Sequence, residues 1–401
     1  MSVLKYPSIN GLRAISIILV IIYHLQMNND IFTELSLINW LEPFISFVTD
    51  GHLGVNVFFV ISGFLITSLM LNEELNTGTV SLKGFYLRRI LRIFPAYFAL
   101  LLVYSILQLF GYIHISDASW LTAITHTKYF NWSLDWYTAH GWSLSIEEHF
   151  YIFWPLIFIS RKGWRKTVAV FLIFIVPIIR IADNLYQIRG INELTIFMRV
   201  DSIAMGCFFA LYKDSILKAI APHWKKIFYI SLIGLFLLRY FPMLADKINM
   251  GYIFIPLGST HGSVANILIA LLMMYSIFGP KGIWYQLLNL KAVNYIGLLS
   301  YSIYLWQQIF ISGSTNWFNQ FPANLMCIAL VALSSYYLIE KPFLKLKSRF
   351  NTAQFTGRKI SRRGSTYVLS ELQSLKMNEP SIRVPANLIG SPILVDETPS
   401  K

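Results

Sequence analysis

Arg13 and His24 stand at the two ends of one apolar run, INGLRAISIILVIIYHLQ, residues 9–26. They are eleven residues apart, and eleven steps of about 100° make three turns plus about 20°. Both side chains therefore share one face of a helix, ~16 Å apart along its axis. An imidazole titrates near neutrality and can take or give a proton. A guanidinium grips phosphate or carboxylate through a planar fork. Each residue alone also has a plainer reading: Arg13 as a snorkelling anchor, and His24 as an interfacial histidine beside Tyr23.

Four other stretches carry candidate chemistry. In FYLRRILRIFP, residues 85–95, Arg89 and Arg92 are spaced i, i+3, and Arg88 and Arg92 are spaced i, i+4. They cluster on one side of a helix and suit a phosphate-rich ligand, or serve only as a topogenic charge run. In GWSLSIEEHFYIFWP, residues 141–155, Ser145 and Glu148 have capping-box spacing, which gives Glu148 a structural task. Glu147 points about 100° away and is expected either to orient or charge-balance His24, or to sit solvated at a helix start. MRVDSIAMG, residues 198–206, places Arg199 and Asp201 at the start of a short apolar helix, where Asp201 also fits a cap. GVNVFFVISGFLI, residues 54–66, holds Gly54, Ser62 and Gly63, which close helix packing explains, and Asn56, which needs a partner.

These residues need elements to hold them. Of 401 residues, 13% are charged and 55% hydrophobic, against about 25% charged in a soluble domain. Repeated runs near 20 residues predict an all-α, polytopic membrane bundle of about ten spans: 10–27, 54–72, 90–111, 145–160, 167–182, 200–213, 225–243, 261–279, 292–312 and 321–340. The first run has the basic flank of a signal peptide, but no small-residue cleavage pattern follows it, so it is expected to stay as a helix. With the N-terminus in the cytoplasm, the internal connections carry four basic residues each at 83–92, 161–166 and 213–226, plus Lys281 and Lys291. The external connections carry only Lys128, Arg189, Arg199 and Lys247. This bias obeys the positive-inside rule and puts both termini in the cytoplasm. It also accounts for the net charge of +13 without a nucleic-acid partner. Residues 1–345 are expected to form the membrane domain and 346–401 a mostly disordered cytoplasmic tail. The outer connection HTKYFNWSLDWYTAHGW, residues 126–142, suits sugar stacking and an interfacial aromatic belt alike. Cys207 and Cys327 lie in apolar runs and suggest no disulfide or zinc framework, and the chain has no phosphate-binding glycine loop, GxSxG or HExxH.

Together these pieces resemble the acyltransferase 3 family of integral membrane acyltransferases, over residues 6–345. Arg13 and His24 are similar to its Arg-x10-His motif, residues 54–66 to its second-helix signature, and Arg89 and Arg92 to its RxxR motif. WSLSIEEHFYIFWP, RVDSIAMG, LSYSIYLWQQ at 299–308 and IEKPF at 339–343 resemble its later elements, in the same order. Two positions depart from it. Asn56 stands where members often carry Asp, and Gln307 where they often carry His.

The resemblance implies transfer of an acyl group, commonly acetyl, from cytoplasmic acyl-coenzyme A to a hydroxyl of an extracytoplasmic carbohydrate. It implies His24 as general base with Glu147 as its support, and Arg13, Arg89 and Arg92 as donor-phosphate ligands. Asn56, Ser62, Arg199, Asp201 and Tyr301 are left as an acceptor or structural polar site. It calls for no metal and no bound cofactor, with membrane lipid around the bundle in the cell inner membrane. O-antigen, exopolysaccharide, peptidoglycan and a small glycoside all remain open as acceptors. A transporter or flippase of lipid-linked glycans, and an inert scaffold, fit the hydropathy equally.

Overall fold

The computed structural model describes residues 6–28, 41–130, 135–186, 199–247 and 255–349. Each of the ten expected apolar segments folds as a helix, and short helices connect them. In chain order these are α1 Ile9–Asn28, α2 Glu42–Val48, α3 Gly51–Thr77, α4 Leu82–Leu109, α5 Asp117–Ile124, α6 Trp136–Ala139, α7 Gly141–Ser160 and α8 Lys162–Tyr186. Then come α9 Val200–Leu211, α10 Lys213–Ile220, α11 Trp224–Lys247, α12 Ile255–Phe278, α13 Ile283–Leu288, α14 Lys291–Phe310, α15 Ala323–Ser335 and α16 Lys341–Arg349. A π-helical turn, Tyr336–Glu340, joins the last two into one continuous helix.

Among the described residues, four helices are long and apolar enough to cross a membrane: α1, α3, α4 and the continuous helix Ala323–Lys347. α7, α8, α11 and α14 have 20 to 25 residues. α9, the shortest of the ten, has 12 residues and rises ~18 Å, short of a hydrocarbon core of about 30 Å.

Local signals set the helix ends. Asp50 caps α3 by accepting from the Leu53 amide at 3.0 Å, and Ser81 caps α4 by accepting from Gly84 at 3.2 Å. Gly78 ends α3 in the left-handed region at φ 78°, where a side chain would be strained. α7 begins four residues before Ser145, and its N-cap, His140, makes no side-chain cap. The expected capping box is therefore absent: Ser145 Oγ donates to the Gly141 carbonyl, one turn back inside the helix.

Small residues bring the helices together. α3 crosses α9 where Gly63 faces the Ile203 carbonyl and Gly206 faces the Val60 carbonyl. A Cβ at either glycine would lie 1.9 or 2.0 Å from those oxygens. α1 packs on α3 at Gly54 and on α14 at Gly297, whose Cβ would meet the Asn10 carbonyl. This close approach bears out the packing reading of Gly54 and Gly63. One ion pair ties the base of the bundle: Arg165 of α8 grips Glu74 of α3 through two bonds of 2.6 and 2.9 Å. Its guanidinium also lies 3.8 Å over the Phe158 ring.

The chain divides into a unit over Met1–Thr356 and a second over Gly357–Lys401. α16 runs on to Arg349, past residue 346, where the tail is expected to begin. Its remainder, residues 350–401, lies outside the described residues.

Candidate active site

α1 carries Arg13 into one cavity and His24 into another. The Arg13 cavity encloses about 660 Å³ between α1, α3, α4, α7, α14 and α16. Five cations line it: Arg13, Arg88, Arg89, Arg92 and Lys347. The i, i+3 and i, i+4 spacing on α4 brings its three arginines to this wall, as the sequence pattern implied. Two carboxylates, Glu73 and Glu147, face them. Glu73 pairs with Arg88 at 2.9 Å and accepts from the Ser81 amide at 2.8 Å. The Arg89 guanidinium lies 4.4 Å from the Tyr151 ring centroid, a cation–π distance.

Glu147 does not serve His24. Its Oε1 accepts from the Ser62 and Tyr151 hydroxyls, which fixes it in the wall of the arginine cavity. The expected His24 partner is instead Gln307 of α14, whose Oε1 lies 3.3 Å from His24 Nδ1. Glu148, expected as a cap, is buried inside α7.

The His24 cavity encloses about 360 Å³. His24, His52 and His140 line it with Asp135, Tyr23, Trp136, Trp142 and Gln308. The Trp136 ring stands edge-on to His24 with centroids 5.9 Å apart, and its Nε1 donates to the Gln308 carbonyl at 2.8 Å. That bond pins the connection between α4 and α7 to α14 over the histidine. Among the described residues, no three His, Cys, Asp or Glu side chains converge to hold a metal ion.

Val55 and Tyr304 line both cavities and form the wall that the two share. Tyr304 is held there by its hydroxyl, 2.5 Å from the His140 carbonyl and 2.6 Å from Ser143 Oγ.

The connection between α4 and α7 is stiffened by charge. Lys128 pairs with Asp135 at 2.7 Å, and both are largely buried. Burial alone raises the Asp135 pKa. The Lys128 ammonium and the amide and hydroxyl of Thr138 more than offset this and hold it below the usual range. Burial lowers the Lys128 ammonium, against the pull of Asp135. Burial also pushes His126 down to about 4 and His140 down to about 3.

The five residues expected as one acceptor or structural site separate. Ser62 and Tyr301 line the arginine cavity, where Tyr301 donates to the Ile93 carbonyl at 2.8 Å. Asn56 accepts from Arg199 at 3.4 Å, which supplies the partner it needed. Asp201 is more than a cap: its Oδ2 takes Arg180 at 2.5 Å, Ser263 at 2.6 Å and Asn266 at 3.2 Å, joining α8, α9 and α12.

Four lining residues were missed in the sequence. His140 sat in a stretch already marked as aromatic and polar. His52, beside the Asp50 cap, carried the signal of an ionisable group at a helix start. Lys347 was read only as topogenic charge. Tyr304, two turns before the end of α14, lay within the LSYSIYLWQQ stretch but was not singled out there.

The chain matches the family model described as an acyltransferase domain over residues 6–340. It is 30% identical over 372 residues to the provisionally named O-acetyltransferase SACOL0978 of Staphylococcus aureus (strain COL). It is 28% identical over 379 residues to O-acetyltransferase OatA of Staphylococcus aureus (strain NCTC 8325 / PS 47). Both matches take in 84% of this chain and 57% of the relative, so the chain spans little more than half the length of these curated relatives. No solved structure matches it. The match over nearly the whole helical bundle shows that the chain belongs to the acyltransferase domain family.

Proposed function

We propose that this chain is a membrane O-acyltransferase, acting as an O-acetyltransferase, with His24 as general base. It moves an acyl group from cytoplasmic acyl-coenzyme A to a hydroxyl of an exported or cell-surface carbohydrate. The observation that carries this reading is the wall that the two cavities share at Val55 and Tyr304. The arginine cavity offers a cationic seat for phosphates, and the His24 cavity offers a base among indole rings. A thioester at the end of a pantetheine arm fits the ~16 Å between Arg13 and His24.

In this mechanism the donor phosphates rest on Arg13, Arg89 and Arg92, and the thioester reaches past Tyr304. The sugar hydroxyl enters the His24 cavity. His24 takes the hydroxyl proton as the oxygen attacks the thioester carbonyl carbon. The C–S bond then breaks, and the coenzyme A thiolate takes the proton back from the imidazolium. The products are the O-ester and free coenzyme A. Gln307 accepts from Nδ1–H and so leaves the Nε2 lone pair for the proton. Glu147 balances charge among the arginines and has no part at the imidazole. The indole faces of Trp136 and Trp142 suit the C–H face of a pyranose.

The same reading makes the ten helical segments membrane spans, with both termini in the cytoplasm of a cell whose inner membrane holds the protein. The basic-residue bias supports this orientation.

The test replaces His24 with Ala or Gln and measures ester-linked acetyl on the cell's carbohydrate. Loss of acylation with normal membrane insertion is expected. Persistent acylation by a properly inserted variant would sink the catalytic assignment.

A further inference from the structure

The arginine cavity is long, and its two ends differ in chemistry. On α3 its lining runs from Val55 to Thr77, a rise of ~33 Å. One end, at Val55 and Tyr304, borders the His24 cavity. The other holds Asn72, Glu73 and Asn76 of α3, Arg88 of α4 and Lys347 of α16. Arg88 lies one turn, ~6 Å, below Arg92 on its helix. Lys347 lies seven residues, ~10 Å, below Glu340, which is buried against Ser302 within the bundle.

The cavity's five cations and two carboxylates leave an excess of three positive charges. Glu73 claims one edge of Arg88, yet Arg88 Nη1 is buried with no hydrogen-bond partner. Among the described residues, Lys347 has no carboxylate within ion-pair distance. A half-buried cation and a buried, unused donor at one end of a cationic cavity are costly unless an anion completes them.

Coenzyme A carries three phosphates, two in the diphosphate and one on the ribose 3′ oxygen. The 3′-phosphate lies on the nucleoside, at the end opposite the thioester. A donor that enters thioester first places it last, at the base of the cavity. We propose that Lys347 and Arg88 hold the 3′-phosphate of the donor, so that this end of the cavity tells coenzyme A from its 3′-dephospho form. The inference rests on the acyl-coenzyme A reading above and adds a specificity site to it. Lys347 acts as a point charge and Arg88 as a fork, two modes of phosphate binding that differ in geometry.

The test is equilibrium binding of coenzyme A and of 3′-dephospho-coenzyme A to the full chain in detergent micelles. The unaltered protein is expected to bind coenzyme A about tenfold or more tightly than the dephospho form, the size of one charge-assisted contact. Lys347→Met is expected to cut the preference for coenzyme A several-fold, leaving the share due to Arg88, while dephospho binding stays within about twofold. Lys347→Arg is expected to restore most of the preference, and dephospho binding reports that each variant is folded. Equal binding of both forms by the unaltered protein overturns the proposal, as does an equal loss of both in Lys347→Met. Failure of the unaltered protein to bind either form overturns the donor reading itself.

Discussion

His24 Nδ1 lies 3.3 Å from Gln307 Oε1, across 283 residues of sequence. An amide oxygen accepts only, so Nδ1 carries the proton and Nε2 is left with its lone pair. The bond also fixes the ring plane, which Trp136 meets edge-on. An amide orients the imidazole without placing a charge beside it, which distinguishes this site from a carboxylate–histidine pair.

Gln307→Leu removes the acceptor and keeps the volume. The expected outcome is a kcat lower by roughly 10²-fold, with the KM for acyl-coenzyme A unchanged, because the donor phosphates bind elsewhere. Steady-state transfer by the purified variant checks this. A variant with full kcat would show that His24 is oriented by other contacts.

The wall shared by the two cavities makes a separate prediction. Val55 is buried on α3 and lines both volumes. Val55→Trp plugs the junction. Coenzyme A binding is expected to stay within about twofold while transfer falls by roughly 10²-fold, since a misplaced thioester loses its approach to the hydroxyl. Equal loss of binding and transfer would place the donor's seat at the junction instead of at the arginines.

Gly63 and Gly206 predict the cost of separating α3 from α9. Gly63→Ala sets a methyl 1.9 Å from the Ile203 carbonyl, and Gly206→Ala sets one 2.0 Å from Val60. Neither backbone oxygen can rotate away, so the helices must part. Each change is expected to destabilise by about 1–3 kcal/mol. The pair should be less than additive, because both act at one crossing. Thermal melting in detergent, followed by size-exclusion profile, measures it.

Much of this architecture was legible in the sequence, for physical reasons. A backbone in lipid must satisfy its own hydrogen bonds, so apolar runs near 20 residues had to be helices. The arginine wall followed from the i, i+3 and i, i+4 spacing of Arg88, Arg89 and Arg92. The partner of Glu147 was not legible. Periodicity gave its angle relative to Glu148, but α7 starts at Gly141 and not at Ser145, and which neighbour it faces depends on tertiary packing. Gln307 read only as a missing histidine because its meaning lies in a contact with α1, far off in sequence. Lys347 hid in a basic terminus whose helix continues through the π turn, where no local signal marks a cavity wall.

The connection between α4 and α7 carries its own pH dependence. His126 has φ 54°, and both of its ring nitrogens are buried without a hydrogen-bond partner. Its ring packs on Tyr97 at 4.4 Å and Phe94 at 5.3 Å. Burial pushes its pKa from 6.5 down to about 4, so the folded connection refuses a proton that the opened one accepts. The stability it contributes is complete above pH 6.5 and is lost as pH falls from 6.5 toward 4. By pH 5 the loss is about 2 kcal/mol. His140, pushed down to about 3, acts in the same direction. Amide hydrogen exchange over residues 116–130, corrected for intrinsic rates, is expected to speed up between pH 7.5 and pH 5. His126→Asn tolerates the positive φ and carries no titrating group, so it should flatten the trend and leave only the share due to His140. An unchanged slope in that variant would move the pH sensitivity away from His126.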